Sequence, residues 1–204
     1  LRPCSEDEKG TRKFLFPCYF CQRMDYFIIA GEASGDLHGA RLMRSLKAAD
    51  PEAAFRVFGG ELMAAEGGVL LKHYREMAFM GFFEVVSHLR TINRNMTFCR
   101  EQLLHPRPDV LILIDYPGFN LKVAAYARSQ GIPVFYYILP KVWAWKAWRT
   151  RKLKLLEGLY SIFPFEREFF RRHGVETEYS GNPLTEMVAE ASRGFRSRER
   201  FLSD

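Results

Sequence analysis

The chain has 204 residues, of which 48% are hydrophobic, 15% aromatic and 26% charged, and its net charge is +6. This length and composition predict a folded domain with a sizeable core and exclude a disordered chain. No apolar run approaches the roughly 18 residues that a transmembrane helix needs, so we expect no membrane-spanning segment. The positive charge favours acidic partners such as phosphates, nucleic acid or an anionic membrane surface.

Residues 1–23 differ from the rest of the chain and are predicted to be an extension outside the fold. They hold three of the four cysteines, including Cys18 and Cys21 in a C-x-x-C pair. A tetrahedral zinc needs a second ligand pair, and none follows at a suitable spacing, so no metal site is predicted. The cysteines form no disulfide framework, which favours a reducing, cytoplasmic setting. Met24 stands just before the first convincing strand and is the predicted natural start.

From residue 24 onward, short apolar runs alternate with amphipathic stretches. This pattern predicts repeated βαβ units, and hence a Rossmann-like parallel sheet flanked by helices over residues 24–189. Helical patterns occupy Leu37–Ala49, an apolar stripe from Phe82 to Met96, and Leu121–Gln130 with Gly131 as its C-cap. The predicted strands are Tyr26–Ala30, Arg56–Phe58, Val110–Ile114, Val134–Ile138, Leu159–Ile162 and Glu176–Tyr179.

The turns after these strands are the candidate sites, because ligands of open parallel sheets bind beyond the carboxyl ends of the strands. The first turn, Gly31–Asp36, opens a helix whose backbone N–H groups could receive an anion. It is neither a dinucleotide fingerprint nor a P-loop, and Ser34 or Asp36 could instead cap the helix. Asp115 ends a buried apolar run, where a general base would be wanted, although it too could cap a helix.

A basic segment, Tyr136–Arg149, contains all three tryptophans of the chain. From Lys141 to Lys154 there are six lysines or arginines and no acid. Positive charge beside amphipathic rings suits a phosphorylated ligand. Three other interpretations remain open: a solvated helix face, a nucleic-acid-binding module without a known signature, and a membrane-surface module without catalysis.

Six segments occur together in the order and spacing of one known family: Gly31–Asp36, Met80–Val85, Ile114–Asn120, Pro140–Trp145, Phe163–Glu166 and Gly181–Pro183. They closely resemble lipid-A-disaccharide synthase, over about residues 24–190. The resemblance implies one lobe of a GT-B glycosyltransferase. The implied reaction transfers 2,3-diacylglucosamine from UDP-2,3-diacylglucosamine to 2,3-diacylglucosamine 1-phosphate, with inversion and release of UDP, in lipid A biosynthesis. It implies no metal, no cofactor and no nucleic acid.

By this resemblance Asp115 is the catalytic base, which takes the proton of the acceptor's 6-hydroxyl. Glu32, Ser34 and Gly35 would line the cleft near the reacting sugars. The other candidates for substrate binding are Asn120, Lys141, Trp143, Trp145 and Lys146. The residues alone leave open whether Lys141, Lys146 or Arg149 holds the acceptor phosphate.

An unusually wide apolar patch follows Met80 in the sequence. In the family this region contacts acyl chains or the membrane surface, which implies a peripheral position on the inner face of the cytoplasmic membrane. The alternative is a helix that buries both of its apolar stripes in the core. The residues of the patch are Phe82, Phe83, Val85, Val86 and Leu89.

Two departures from the family pattern affect these expectations. Leu139 stands where the family usually has a small or hydroxylated residue. The family continues beyond Gly181–Pro183 into a second lobe that holds most of the UDP-binding residues, and residues 190–204 are interpreted as a linker or the start of a further element. A GT-B catalyst holds donor and acceptor between two lobes, so we expect little transferase activity from these 204 residues alone.

Overall fold

The computed structural model describes residues 23–77, 89–144, 147–179 and 181–193. Within these ranges one sheet of seven parallel strands has the order β3-β2-β1-β4-β5-β6-β7. This order confirms the predicted Rossmann-like sheet. The strands are β1 (Asp25–Ala30), β2 (Ala54–Gly59), β3 (Val69–His73), β4 (Val110–Ile114), β5 (Val134–Tyr137), β6 (Gly158–Ser161) and β7 (Glu178–Tyr179).

Helices connect the parallel strands, as crossover connections require. Two short 3-10 turns, Tyr74–Glu76 and Ala147–Arg149, precede longer elements. Over the described ranges, no helix combines the length and the apolar character that crossing a bilayer requires. The helices are α1 (Ala33–Ala49), α2 (Glu61–Ala65), α3 (Leu89–Leu104), α4 (Pro117–Ser129), α5 (Thr150–Leu153), α6 (Pro164–Arg172) and α7 (Pro183–Arg193).

All six predicted strands are present, with ends shifted by up to two residues, but β3 was missed. Among the described residues this strand lies at the edge of the sheet, where it pairs with β2. Its first residue, Val69, is 58% exposed, so the strand lacks the continuous apolar run that marks a buried parallel strand. Sequence pattern alone therefore does not distinguish it from a loop.

Two helices begin four residues earlier than predicted. Helix α1 starts at Ala33 rather than Leu37, and α4 starts at Pro117 rather than Leu121. In α4 the proline occupies the first turn, where its missing N–H and fixed φ are tolerated. Gly131 adopts a φ of 70° just beyond α4, which confirms the predicted C-terminal glycine. The turn residues are thus part of the helices, close to the strand ends.

The core lies on both faces of the sheet. Met43 of α1 and Met63 of α2 pack on one face. On the other face, helices α3 to α6 cover a second cluster that includes Phe27, Phe58 and Tyr136. All five residues of the central strand β4 are buried, because a parallel sheet covered on both faces leaves its middle strands without solvent contact. The buried strand β4 therefore holds the residue that follows its carboxyl end in a defined position.

Candidate functional site

Three residues at the carboxyl ends of β4 and β5 adopt left-handed backbone conformations. The φ angles are 42° at Asp115, 49° at Tyr116 and 66° at Ile138. Such conformations cost of order 1–3 kcal/mol each in residues other than glycine, and they cluster at functional sites. The two strand ends are joined, because the Asp115 N–H donates to the Ile138 carbonyl over 3.1 Å. The predicted base therefore lies on a strained, tightly held turn.

Side chains from two elements hold the main-chain carbonyl of Asp115. The Asn120 amide donates to this oxygen over 2.8 Å and to the Ile114 carbonyl over 3.2 Å. The Tyr136 hydroxyl donates to the same Asp115 oxygen. Asn120 and Tyr136 are completely buried. Asn120, predicted to bind substrate, thus lies beneath the site, where its amide bonds the main chain of the turn.

The carboxyl group of Asp115 has a perturbed acidity. Its pKa is raised from 3.8 to about 6, first by burial and then by the nearby Glu32 carboxylate, while the Lys141 ammonium opposes both. The buried Glu166 carboxylate also raises this pKa. A carboxylate with a pKa near the working pH accepts a proton more effectively than an ordinary aspartate. Its environment therefore suits the role of general base.

The glycine turn after β1 places Glu32 and Ser34 at the surface of the carboxyl edge. The Ser34 hydroxyl donates to the Glu32 carboxylate over 2.6 Å. Gly35, in contrast, is buried, and a Cβ on it would lie 3.0 Å from the Cβ of Ala30. Gly35 was predicted to bind substrate; in the structure it packs the start of α1 against β1.

Neither predicted cap of α1 is correct. The residue that precedes this helix is Glu32, and no side chain caps the helix there. The Asp36 carboxylate instead accepts hydrogen bonds from the N–H groups of Gly60, Leu62 and Met63, over 2.7, 3.0 and 3.1 Å. It therefore caps α2, the helix that follows the neighbouring strand, and it is only 2% exposed.

Gly31 allows the close approach of Tyr116. A Cβ at Gly31 would lie 2.5 Å from Cδ1 and 2.7 Å from Cδ2 of the tyrosine ring. The Tyr116 hydroxyl donates to the Met77 carbonyl over 2.6 Å. The ring therefore spans from the β1 turn to the segment after β3, and only glycine leaves it room.

A buried carboxylate that was not predicted as a site residue holds Trp143. Glu166 is completely buried and accepts from the Trp143 indole N–H over 3.0 Å. Its other oxygen accepts from the N–H groups of Ile162 and Phe163, over 3.1 and 3.2 Å. It lies at the third position of α6, after Pro164, which is the spacing of a glutamate that caps its own helix. That spacing was the signal in the sequence.

Trp143 is 37% exposed and packs edge-on against Phe165, with ring centroids 5.1 Å apart and planes at 83°. Phe165 is 52% exposed. Lys141 is exposed two residues before Trp143. The structure thus gathers Glu32, Asp115, Lys141 and Trp143 around one edge of the sheet.

The remaining predicted residues are not placed by the structure. Trp145 and Lys146 lie outside the described residues, and so do Phe82, Phe83, Val85 and Val86. Leu89 begins α3, and its side chain is likewise outside the description. Their roles stay predictions.

Comparison with known families matches residues 26–202 to a family described as lipid-A-disaccharide synthetase. The lipid-A-disaccharide synthase of Geobacter sulfurreducens is 43% identical over 162 residues, which cover 79% of this chain and 42% of that protein. The lipid-A-disaccharide synthase of Myxococcus xanthus is 40% identical over 175 residues, covering 85% of this chain and 46% of that protein. The chain spans less than half the length of these curated relatives.

Among solved structures, a UDP-GlcNAc 2-epimerase from Neisseria meningitidis, bound to UDP-GlcNAc, has a TM-score of 0.61. The match has 12% identity and covers 89% of this chain and 53% of that chain. A putative UDP-N-acetylglucosamine 2-epimerase from Listeria monocytogenes has a TM-score of 0.57 at 13% identity, covering 76% of this chain and 43% of that chain. At such identities the likeness concerns the fold alone, and it confirms a Rossmann-like domain of the GT-B type.

Proposed function

This chain belongs to the lipid-A-disaccharide synthase family, and we propose that residues 24–189 form the acceptor-side domain of an inverting glycosyltransferase. The donor is UDP-2,3-diacylglucosamine and the acceptor is 2,3-diacylglucosamine 1-phosphate. The product is the β-linked disaccharide phosphate, and UDP is released. The names of the relatives support the reaction. The position of Asp115 supports the assignment of the acceptor-side role to this domain.

The observation that carries the proposal is the carboxyl group of Asp115 at the carboxyl edge of β4. The ionised carboxylate takes the proton of the acceptor's 6-hydroxyl while that oxygen forms a bond to the anomeric carbon of the donor. The bond from this carbon to the UDP oxygen breaks, and UDP leaves with the electron pair. Because burial raises the pKa of Asp115 to about 6, the group is ionised at neutral pH and still accepts a proton readily.

Lys141 is the candidate that the site favours for the acceptor phosphate. It is exposed, and its charge acts on Asp115, so a phosphate bound to it would lie near the base. Arg149 instead lies over the Trp148 ring, with its guanidinium carbon 5.7 Å from the ring centroid. Trp143, which is held by Glu166, offers an apolar surface two residues after Lys141.

Acyl chains of both substrates require an apolar surface, and we assign this role to the patch at residues 82–89. Its side chains cover more than one helical stripe in the sequence. Contact between this patch and lipid would hold the protein at the inner face of the cytoplasmic membrane as a peripheral protein.

Turnover in a chimera tests the proposal. Residues 24–190 replace the matching part of the Geobacter sulfurreducens relative, and disaccharide formation is followed by mass spectrometry. Asp115→Asn should lower kcat by about 100- to 10,000-fold, since a positioned base contributes that much to the rate. Lys141→Ala should raise the acceptor KM, while Lys122→Ala, which removes an exposed lysine of α4, should not.

Each outcome bears on a separate part of the proposal. A folded chimera without turnover would contradict the assignment of the domain. Wild-type rates in Asp115→Asn would remove Asp115 from the mechanism. An unchanged acceptor KM in Lys141→Ala would place the phosphate elsewhere.

A further inference from the structure

The turn that carries Asp115 is held from below by two buried side chains. We propose that Asn120 and Tyr136 are positioning residues, which clamp the main-chain carbonyl of Asp115 so that its carboxylate is held towards the cleft. The inference rests on the proposed function only in treating Asp115 as the base. The clamp itself stands on hydrogen-bond geometry.

The clamp has donors from two different elements. Asn120 lies in the first turn of α4, and its amide nitrogen reaches the carbonyls of both Ile114 and Asp115. Tyr136 belongs to β5, where its partner across the ladder is Leu113 of β4. The carbonyl is therefore fixed relative to the following helix and to the neighbouring strand at once.

The orientation of the Asn120 amide follows from its surroundings. If the amide were turned over, its oxygen would face two carbonyl oxygens, which repel it. In the observed orientation the amide oxygen is buried and has no hydrogen-bond partner among the described residues. That unpaired acceptor is a cost of the observed orientation, and the two hydrogen bonds that the amide donates to the turn offset it.

The backbone conformation explains why a clamp is needed. Asp115 and Tyr116 are consecutive residues with positive φ, and left-handed conformations are unfavourable for residues with a Cβ. Rotation about the N–Cα bond of Asp115 towards negative φ would relieve the strain at this residue, and it would move both the side chain and the carbonyl group of Asp115. The hydrogen bonds from Asn120 and Tyr136 to this carbonyl oppose that rotation. Burial raises the pKa of Tyr136 well above its ordinary value, so its hydroxyl stays a donor.

A fixed carbonyl sets where the carboxylate stands among the charged groups that face it. These groups come from several elements: Glu32 from the β1 turn, Lys141 after β5 and Glu166 from α6. The backbone N–H of Tyr116 lowers the pKa of this carboxyl group. Electrostatic coupling between Asp115 and Lys141 depends on their separation, so it reports the position of the carboxylate directly.

A double-mutant cycle in the 204-residue chain tests the clamp. The titration midpoint of the Asp115 carboxyl carbon is measured by 13C NMR in wild type, Lys141→Ala, Tyr136→Phe and the double variant. In the wild-type background Lys141→Ala should raise the midpoint, because a favourable cation is lost. In the Tyr136→Phe background this rise should fall by at least about half, because the released carboxylate spends less time near Lys141. Tyr126→Phe is the control and should leave the coupling unchanged.

An identical effect of Lys141→Ala with and without the Tyr136 hydroxyl would overturn the proposal. Tyr136→Phe keeps the ring in the core, and Asn120→Ala provides a second cycle in case the first variant does not fold. The titration uses no substrate, so it is independent of turnover. Wild-type turnover of Asp115→Asn in the chimera would refute the catalytic role and leave the clamp standing.

Discussion

Gly31→Ala should strongly destabilise the domain, because the added methyl group has no space. Its carbon would lie 2.5 to 2.7 Å from two ring carbons of Tyr116, and closer still to Cγ. Ordinary carbon contacts lie at about 3.5–4 Å, so the ring must move by about 1 Å or more. Overpacking of this kind costs about 1–3 kcal/mol. Loss of the hydrogen bond to the Met77 carbonyl adds about 0.5–1.5 kcal/mol.

The expected loss is therefore about 2–4 kcal/mol, which corresponds to a fall in Tm of about 4–15 °C for a domain of this size. Thermal unfolding followed by circular dichroism measures it in the 204-residue chain. Gly118→Ala is the matched control, because no atom lies within 4 Å of its added carbon. In helix α4 that change should be neutral or stabilising by up to about 1 kcal/mol. A Gly31→Ala protein that unfolds with the wild type would refute the packing argument.

Three further predictions concern carboxylates that are buried or partly buried. The folded pKa of Asp115, about 6, exceeds its ordinary value of 3.8, so ionisation lowers the stability of the fold from about pH 4 upward, and the loss is complete above about pH 6. Asp115→Asn should therefore raise the free energy of unfolding by about 1–3 kcal/mol at pH 8 and not at pH 3.5. Urea denaturation at both pH values tests this, and an equal gain at both would contradict it. Glu166→Ala should lower the free energy of unfolding by about 3 kcal/mol, because it leaves three donors unpaired. It should also shift the fluorescence emission of Trp143 to the red, measured with the other two tryptophans replaced by phenylalanine. Unchanged emission would show that Glu166 does not hold the indole. Asp36→Ala should cost about 2 kcal/mol and speed hydrogen exchange at the amides of Gly60, Leu62 and Met63, which it accepts from at the start of α2. Faster exchange at the start of α1 instead would contradict the assignment.

Local rules located Asp115 but misplaced Asp36. A carboxylate that directly follows a long buried run must lie at the carboxyl edge of a parallel sheet, so its position needs no tertiary information. A cap, in contrast, is assigned to the nearest helix in the sequence, and Asp36 reaches a helix that begins 25 residues later, at Glu61. Asp36 and the start of α2 are far apart in the sequence, but they lie close together because each follows one of two adjacent strands, β1 and β2.

Glu166 shows the same limit in another form. Its spacing after Pro164 is typical of a glutamate that caps its own helix, and in the structure its carboxylate accepts from the Phe163 N–H. Its second partner, the Trp143 indole, lies 23 residues earlier. Only the pairing of β5 with β6 brings the segments that follow these two strands together.

The sequence by itself determined the alternation of strands and helices, the parallel sheet and the edge on which Asp115 lies, because these follow from apolar periodicity and chain direction. The tertiary structure decided what surrounds that carboxylate. The donors on its carbonyl come from Asn120, five residues on, and from Tyr136 in the next strand. Its pKa depends on burial and on charges from three separate elements. Desolvation and electrostatic coupling depend on distances in space, and these exist only once the strands have paired.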